Sequence, residues 1–182
     1  MRKVLHLLGI LDDADVEWIA QHGTREHVSA GTELIREKMP IERLYILLDG
    51  ELAACVKSLG GKQIATLHAG EIVGELSFVD HQPPSATVIA LTDAWLLSIS
   101  REILSVRLAK DNAFAARFYR SIAMFLSDRL RVTVRRLGYG ETGQNASEEE
   151  LVDATLEDIA LAAVRFDKML RKLRAEYKPI ES

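Results

Sequence analysis

The sequence GEIVGELSFVDHQPPSATVIAL, residues 70–91, combines two glycine–glutamate pairs with a serine, a double proline and a β-branched run. It contains no lysine or arginine. Glycines that bend the backbone can expose successive N–H groups, and such concave turns bind anions. These residues therefore raise the question of whether they form a cradle for phosphate, and whether that cradle works without a cation of its own.

On both sides of this segment, short apolar runs alternate with turn residues. Two runs meet at Asp49-Gly50, two at Gly60-Gly61, and a third pair meets at Thr92-Asp93. Turn dipeptides between apolar runs indicate β-hairpins, so we expect three of them. Several short strands with regularly spaced turns predict a small β-sandwich or barrel. A parallel α/β sheet is disfavoured, because the sequence shows no long helical pattern between the strands.

Helical periodicity flanks the strands. Residues 13–22 place apolar side chains at helical spacing, with an aspartate near the start. After residue 100 the pattern becomes helical again, and Ser100 can cap a short helix. Asp111 or Asn112 can cap a longer helix that runs to Leu137.

The C-terminal part of the chain changes in composition. Residues 138–147 are polar and glycine-rich, which predicts a linker. An amphipathic helix is expected over residues 148–178. We therefore divide the chain into a domain at residues 1–137, which includes its closing helix at 111–137, followed by the linker and the C-terminal helix.

Charge and hydropathy restrict the function. The chain of 182 residues has a net charge of −4 and is 48% hydrophobic, which favours a globular domain and disfavours a nucleic-acid surface. No apolar run approaches the roughly 20 residues of a membrane span. The short apolar run at the N-terminus contains His6 and lacks a cleavage site for a signal peptide. We predict a cytoplasmic protein without membrane contact.

The order of helix, about eight strands, short helix and long helix resembles the cyclic nucleotide-binding domain family, in particular its catabolite-activator-type regulators. The resemblance is carried by GTELIREKMPIERLYILLDGELAACV, HAGEIVGELSF and PPSATVIAL, and extends over about residues 5–137. It implies a mainly β fold with flanking helices, as a β-barrel or jelly roll followed by a long helix and an extra C-terminal helix. It further implies a non-enzymatic regulatory module, without metal or resident cofactor, whose ligand is cyclic AMP or another cyclic nucleotide.

The resemblance assigns a phosphate and ribose site to residues around the quoted segment. Gly74 would allow the tight turn, and Glu75 would accept a hydrogen bond from the ribose 2′-hydroxyl. Backbone N–H groups around Leu76 and Ser77, at the start of a short helical turn, would face the cyclic phosphate. Ser85 would donate to the same phosphate. Without the resemblance, Glu75 is interpreted as a surface carboxylate.

The resemblance also assigns the walls of the site. Thr133, within LRVTVRRLG, would meet the adenine edge, while Ile64 and Val73 would line the pocket. One position departs from the family, because members that bind cyclic AMP or cyclic GMP usually have an arginine where this chain has Pro84. A charge-assisted hydrogen bond contributes roughly 1.5–3 kcal/mol, so its loss would weaken binding by roughly 10- to 150-fold.

The arginines of DRLRVTVRR, residues 128–136, have two interpretations. They form a solvated helix face with acidic partners such as Asp128, or they supply in cis or in trans the cation that is missing at Pro84. The sequence leaves both open.

Three other functions remain as alternatives. The chain could be a degenerate member of the family that binds no nucleotide and acts as an oligomerisation or scaffold domain. It could be a cupin-like metal enzyme, whose nearest candidate ligands are His68, Glu71, Glu75 and His81. A DNA-binding regulator is disfavoured by the charge, and because residues 139–182 offer too little chain for a helix-turn-helix after the linker.

An isolated amphipathic helix needs a partner for its apolar face. We therefore predict a homo-oligomer or a protein partner, bound through residues 111–137 or 148–174. Packing of the last helix on its own domain is the other possibility.

Overall fold

The structure is a computed structural model that describes residues 9–136 and 156–175. The strands in these ranges are β1 Thr24–Val28, β2 Glu33–Ile35, β3 Arg43–Asp49, β4 Glu51–Val56, β5 Lys62–His68, β6 Ile72–Val73, β7 Thr87–Ala90 and β8 Ala94–Ser100. The helices there are α1 Asp13–His22, α2 Glu75–Asp80, α3 Arg101–Lys110, α4 Asn112–Arg136 and α5 Leu156–Ala175, with a 3-10 turn at Lys57–Leu59.

The strands form two antiparallel sheets of four strands each. Their orders are β1-β8-β3-β6 and β2-β7-β4-β5, so strands adjacent in the chain fall mostly in different sheets. This is the arrangement of a jelly roll, in which the chain crosses repeatedly between two facing sheets. The predicted mainly β fold with flanking helices is confirmed, and the described strands form two sheets rather than one closed barrel.

The central strands β8 and β3 of the sheet β1-β8-β3-β6 are buried on both faces. Along β3, Leu44 and Ile46 join the apolar core beneath the helices, while Leu47 joins the core between the two sheets. Leu97 and Leu96 divide in the same way along β8. Because successive side chains of a strand point to opposite faces, these continuous apolar strands support a three-layer arrangement of helices, sheet and sheet.

Only one of the three predicted hairpins is correct in the described chain. β4 and β5 pair across Gly60-Gly61, but Asp49-Gly50 and Thr92-Asp93 each connect strands of different sheets. These two turns pack against each other, since the Glu51 amide donates to Thr92 Oγ1 at 3.0 Å. A turn dipeptide predicts that the chain reverses, but the pairing partner depends on contacts distant in sequence.

The helix predicted at residues 13–22 is confirmed as α1. Asp12 caps it, with Asp15 completing a reciprocal capping box. Asp111 caps α4 by accepting the Phe114 amide at 2.9 Å, whereas the Ser100 hydroxyl makes no capping bond to α3. The predicted end of α4 at Leu137 and the linker at 138–147 lie outside the described residues.

The C-terminal helix α5 packs on α1 of the same chain. Arg165 contacts Asp13 and Lys172 contacts Glu17, both at 2.7 Å. Its apolar side is buried in the helical core through Ala162, Met169 and Leu173. The helix predicted for residues 148–178 is present over 156–175, and its ends lie outside the described residues. None of the described helices is long and apolar enough to cross a membrane.

Candidate functional site

A cavity of about 610 Å³ lies between the sheet β2-β7-β4-β5, helix α2 and the C-terminal part of α4. The eight residues that the resemblance assigns to a ligand site all line this cavity, as does Pro84. They are Ile64, Val73, Gly74, Glu75, Leu76, Ser77, Ser85 and Thr133. The structure thus brings together residues from β5, β6, α2, the segment before β7 and α4, while their roles toward a ligand stay predictions.

Gly74 occupies a position that a larger residue would disturb. Its φ angle is 91°, in the left-handed region that favours glycine. A Cβ atom here would lie 2.7 Å from the Ile41 Cδ1 atom. The tight turn lets α2 begin at Glu75 immediately after β6, as the predicted short helical turn requires.

Glu75 is buried, with 3% of its surface exposed, so its interpretation as a surface carboxylate is wrong. Its Oε1 atom accepts a hydrogen bond from Arg129 Nη1. A second carboxylate lies beside it, since Arg129 Nη2 is 3.6 Å from Glu71 Oε2. Glu71 also accepts the His68 amide at 3.3 Å and is 1% exposed. One guanidinium therefore faces two buried carboxylates.

Arg129 was not predicted individually, and it is the main cation of the cavity wall. The interpretation of this arginine as part of a solvated face is wrong, because its guanidinium lies 4.5 Å from the centre of the Phe125 ring and contacts Glu75. The sequence contained a signal for this position. Arg129 precedes Thr133 by four residues, and residues four apart in a helix share one face.

The electrostatics of the cavity are close to balanced. Its charged lining residues within the described chain are Lys62, Glu71, Glu75 and Arg129. Burial raises the pKa of Glu75 above its ordinary value, and the neighbouring Glu71 carboxylate acts in the same direction. The Arg129 guanidinium and local backbone hydrogen bonds oppose this rise in pKa without cancelling it.

The mouth of the cavity is apolar and open to solvent. Ile64 on β5 and Leu76 on α2 are each nearly half exposed there. Thr133 is exposed at the α4 side, and its hydroxyl donates to the Arg129 carbonyl at 2.8 Å. Ser77 is buried and Ser85 is exposed, while Pro84 is buried and accepts the Lys38 amide at 2.9 Å.

The four candidate metal ligands point to different partners. His68 Nδ1 lies 3.5 Å from Glu51, and His81 Nδ1 lies 2.9 Å from Arg101. Glu71 and Glu75 face Arg129 instead. Within residues 9–136 and 156–175, no three histidine, cysteine or acidic side chains group as metal ligands would. The geometry therefore gives no support to a cupin-like metal centre.

Comparison with known proteins gives a family match. Residues 25–111 match the family model for the cyclic nucleotide-binding domain. The cAMP-dependent protein kinase regulatory subunit of Aspergillus fumigatus is 33% identical over 73 residues, which cover 40% of this chain and 17% of that protein. Further curated relatives are matched over 10% and 26% of their own length, so the chain spans only a minor part of each.

Solved structures share the fold. A cyclic nucleotide-binding domain from Methylobacillus flagellatus KT gives a TM-score of 0.67 at 22% identity, covering 78% of this chain and 86% of that one. A triple mutant of the regulatory subunit of a cAMP-independent protein kinase A from Trypanosoma brucei, bound to cAMP, gives 0.52 at 22% identity, covering 76% and 46%. Together with the matching family model, the sheet order and the glycine–glutamate turn show that residues 25–111 of this chain belong to the cyclic nucleotide-binding domain family.

Proposed function

We propose that the chain is a non-enzymatic sensory module that binds a cyclic nucleotide, or a related small anionic ligand, in the 610 Å³ cavity. The observation that carries this proposal is the convergence of all eight assigned residues on one cavity that also contains a cation, Arg129. Its volume is in the range of small-molecule sites, roughly 300–1,000 Å³. A cytoplasmic site of action is part of the proposal.

The cavity has separate regions for the parts of such a ligand. Glu75 would accept a hydrogen bond from the ribose hydroxyl. The backbone N–H groups around Leu76 and Ser77, together with the Ser85 hydroxyl, would bind the cyclic phosphate. The apolar mouth, with Ile64 and Leu76 exposed, would cover the base. Most of such a ligand would then contact apolar walls, with a few polar groups fixing its orientation, as is usual for small-molecule sites.

Helix α4 gives this proposal a route for a signal. One part of it contributes Arg129 to the cavity, and another part holds Asp15 of α1 through Arg117 at 2.6 Å. The terminal helix α5 packs on the opposite side of α1 through Arg165 and Lys172. A shift of α4 on ligand binding would therefore change how α1 and α5 are presented to a partner.

Self-association or a protein partner is the proposed output. Tyr119 and Leu130 on α4 and Val164 on α5 are large apolar side chains that stay exposed in the isolated chain. Light scattering at tens of micromolar protein, with and without cyclic AMP, tests self-association. A monomer under both conditions would leave a separate protein partner as the output.

A second candidate is a domain of the same fold that binds no cyclic nucleotide and acts as a scaffold. Pro84, where an arginine usually pairs with the phosphate, favours this candidate. The Trypanosoma brucei protein bears on the point: its protein kinase A is cAMP-independent, and the regulatory subunit bound to cAMP carries three substitutions, one of which introduces an arginine. The two candidates therefore differ in what they predict for ligand binding.

Thermal unfolding with a panel of cyclic mono- and dinucleotides at millimolar concentration distinguishes these candidates. A ligand present at 100 times its dissociation constant stabilises the folded state by about 2.7 kcal/mol, which raises the melting temperature measurably. Adenosine 5′-monophosphate serves as the control for a nucleotide without the cyclic phosphate. The sensor predicts a shift with a cyclic nucleotide that exceeds the control, and the scaffold predicts none.

A further inference from the structure

The inner part of the cavity contains an excess of negative charge. Arg129 is the one guanidinium of the cavity lining in the described residues, and it faces both Glu71 and Glu75. Both carboxylates are at least 97% buried. Lys62 is the other lining cation, but it is exposed on β5, where water screens its charge.

An anionic ligand would make this excess larger. Position 84 is a proline, so the segment before β7 contributes no cation to the lining. The guanidinium of Arg129 is the partner best suited to a phosphate, because its N–H groups form a fork that matches two oxygens. If Arg129 turned to the ligand, Glu75 would lose its charged partner while remaining buried. A buried carboxylate without a partner is strongly unfavourable, and such a group takes up a proton instead.

Building on the proposed function, we propose that Arg129 binds the anionic group of the ligand in exchange for Glu75, and that Glu75, beside the Glu71 carboxylate, takes up one proton from solvent in the same step. The proton forms an O–H bond on a carboxylate oxygen, and no bond of the ligand changes. Proton uptake agrees with the pKa of Glu75, which burial already raises before a ligand binds. A protonated Glu75 keeps an acceptor oxygen for a ribose hydroxyl and gains a donor.

The surrounding elements contribute no other titratable group to this exchange within the described chain. β5 contributes Lys62, the β5–β6 connection contributes Glu71, α2 contributes Glu75, and α4 contributes Arg129. The two histidines nearest in sequence are engaged elsewhere, with His68 near Glu51 and His81 against Arg101. Proton uptake on binding is therefore expected to arise from Glu75.

Isothermal titration calorimetry with cyclic AMP tests the proposal between about pH 5.5 and 8, in pairs of buffers that differ in protonation enthalpy. The ligand's phosphodiester stays ionised throughout, so any net proton uptake belongs to the protein. We expect an uptake of up to about one proton, and an affinity that rises by up to tenfold for each unit of falling pH. Arg129→Met should weaken binding and reduce proton uptake, because Glu75 has then lost its guanidinium partner before the ligand arrives.

Two further variants make the test specific. Glu71→Gln removes one carboxylate, so we expect tighter binding at pH 8 and a smaller proton uptake. Asp128→Asn removes the same charge from α4 at a residue outside the cavity lining, and should keep the wild-type pH dependence. Circular dichroism and melting curves establish that each variant is folded before its binding is compared.

The outcomes separate this inference from the function on which it rests. Binding with equal heats in both buffers and an affinity independent of pH would overturn the exchange alone. Wild-type affinity in folded Arg129→Met would also overturn it. No heat and no thermal shift with any cyclic nucleotide, at any pH, would overturn the proposed function and this inference together.

Discussion

Helix α4 brings an arginine to a buried carboxylate at two places, Arg117 beside α1 and Arg129 in the cavity, roughly 18 Å apart along the helix axis. Arg117 binds Asp15 through two nitrogens, at 2.6 and 3.0 Å, and also contacts Asp12 at 2.9 Å. Each arginine thus faces two carboxylates. The pairs differ in burial, since Asp12 is about half exposed while both partners of Arg129 are buried.

This difference in burial changes the pKa of the central carboxylate. For Asp15, burial acts to raise the pKa, but hydrogen bonds from Arg117 and from the Asp12 amide outweigh it and leave the pKa lowered. For Glu75, burial and the second carboxylate prevail, and the pKa is raised. An arginine–carboxylate pair therefore fastens two helices at one site, and forms an ion pair suited to exchange at the other.

The largest expected effect is on stability, and it compares the two arginines directly. Arg117→Met leaves Asp15 buried without its charged partner, so we expect the free energy of unfolding to fall by about 3 kcal/mol. Arg129→Met should cost less than half as much near pH 6, because Glu75 can take up a proton next to an open cavity. Urea unfolding of both variants measures the two losses. Equal losses would mean that the two pairs have the same structural role.

A second guanidinium in the cavity should increase its affinity for an anionic ligand. Pro84→Arg places a guanidinium where the family usually has one, and we expect cyclic AMP to bind roughly 10- to 150-fold more tightly. The backbone contact from the Lys38 amide to the carbonyl of residue 84 does not depend on the proline ring. Calorimetric titration of wild type and variant measures the gain. Pro84→Lys is the matched control, since it adds charge without the forked geometry.

An unchanged affinity in a folded Pro84→Arg variant would contradict this prediction. It would also indicate that the anion lies away from position 84, closer to Arg129. A tightening that is accompanied by loss of proton uptake would instead fit a phosphate shared between the two arginines.

The jelly roll and the cavity residues were predictable to different degrees from the sequence. Turn dipeptides and apolar runs indicated short strands, and the resemblance around Gly74 and Glu75 indicated residues that the fold brings into one cavity. The periodicity could not show that Asp49-Gly50 connects two sheets, because that depends on its packing against the Thr92-Asp93 turn. Long-range contacts of this kind leave no local pattern.

Arg129 was missed as an individual residue for a related reason. In the sequence it is one of several arginines in a charged run, and an exposed helix face is the usual location of such residues. Its position against the cavity follows from its contacts with Glu71 and Glu75, which precede it by more than fifty residues. The terminal helix is similar, because its amphipathic pattern predicted a partner but could not identify that partner as α1.

Stability as a function of pH should show opposite signs for the two carboxylates. The folded-state pKa of Asp15 lies below its ordinary value of 3.8, so its contribution is present above that pH and lost as pH falls through the folded pKa. The folded-state pKa of Glu75 lies above 4.5, so its contribution is full below that pH and lost as pH rises through the folded pKa. Each group changes the free energy of unfolding by at most about 1.4 kcal/mol per pH unit.

Urea unfolding of wild type, Asp15→Asn and Glu75→Gln from about pH 3.5 to 8 measures these contributions. The advantage of wild type over Asp15→Asn should shrink only at the acidic end. Relative to Glu75→Gln, wild type should lose stability as pH rises. Parallel curves for the two variants would show that the carboxylates do not differ in the way their surroundings suggest.

The smallest expected effect concerns Thr133, one helical turn beyond Arg129. Its hydroxyl donates to the Arg129 carbonyl at 2.8 Å. The hydroxyl oxygen can therefore accept a hydrogen bond from the base, and it can donate one only after the bond to Arg129 is broken. A hydrogen bond makes a net contribution of about 0.5–1.5 kcal/mol, so Thr133→Val should weaken the binding of cyclic AMP by roughly 2- to 12-fold. Stability should change little, because the side chain is exposed. Thr133→Ser keeps the hydroxyl, and its affinity should stay close to wild type if the hydroxyl contacts the base. If the Thr133→Val and Thr133→Ser variants bind cyclic AMP equally well, the edge of the base lies elsewhere, and α4 contacts the ligand through Arg129 alone.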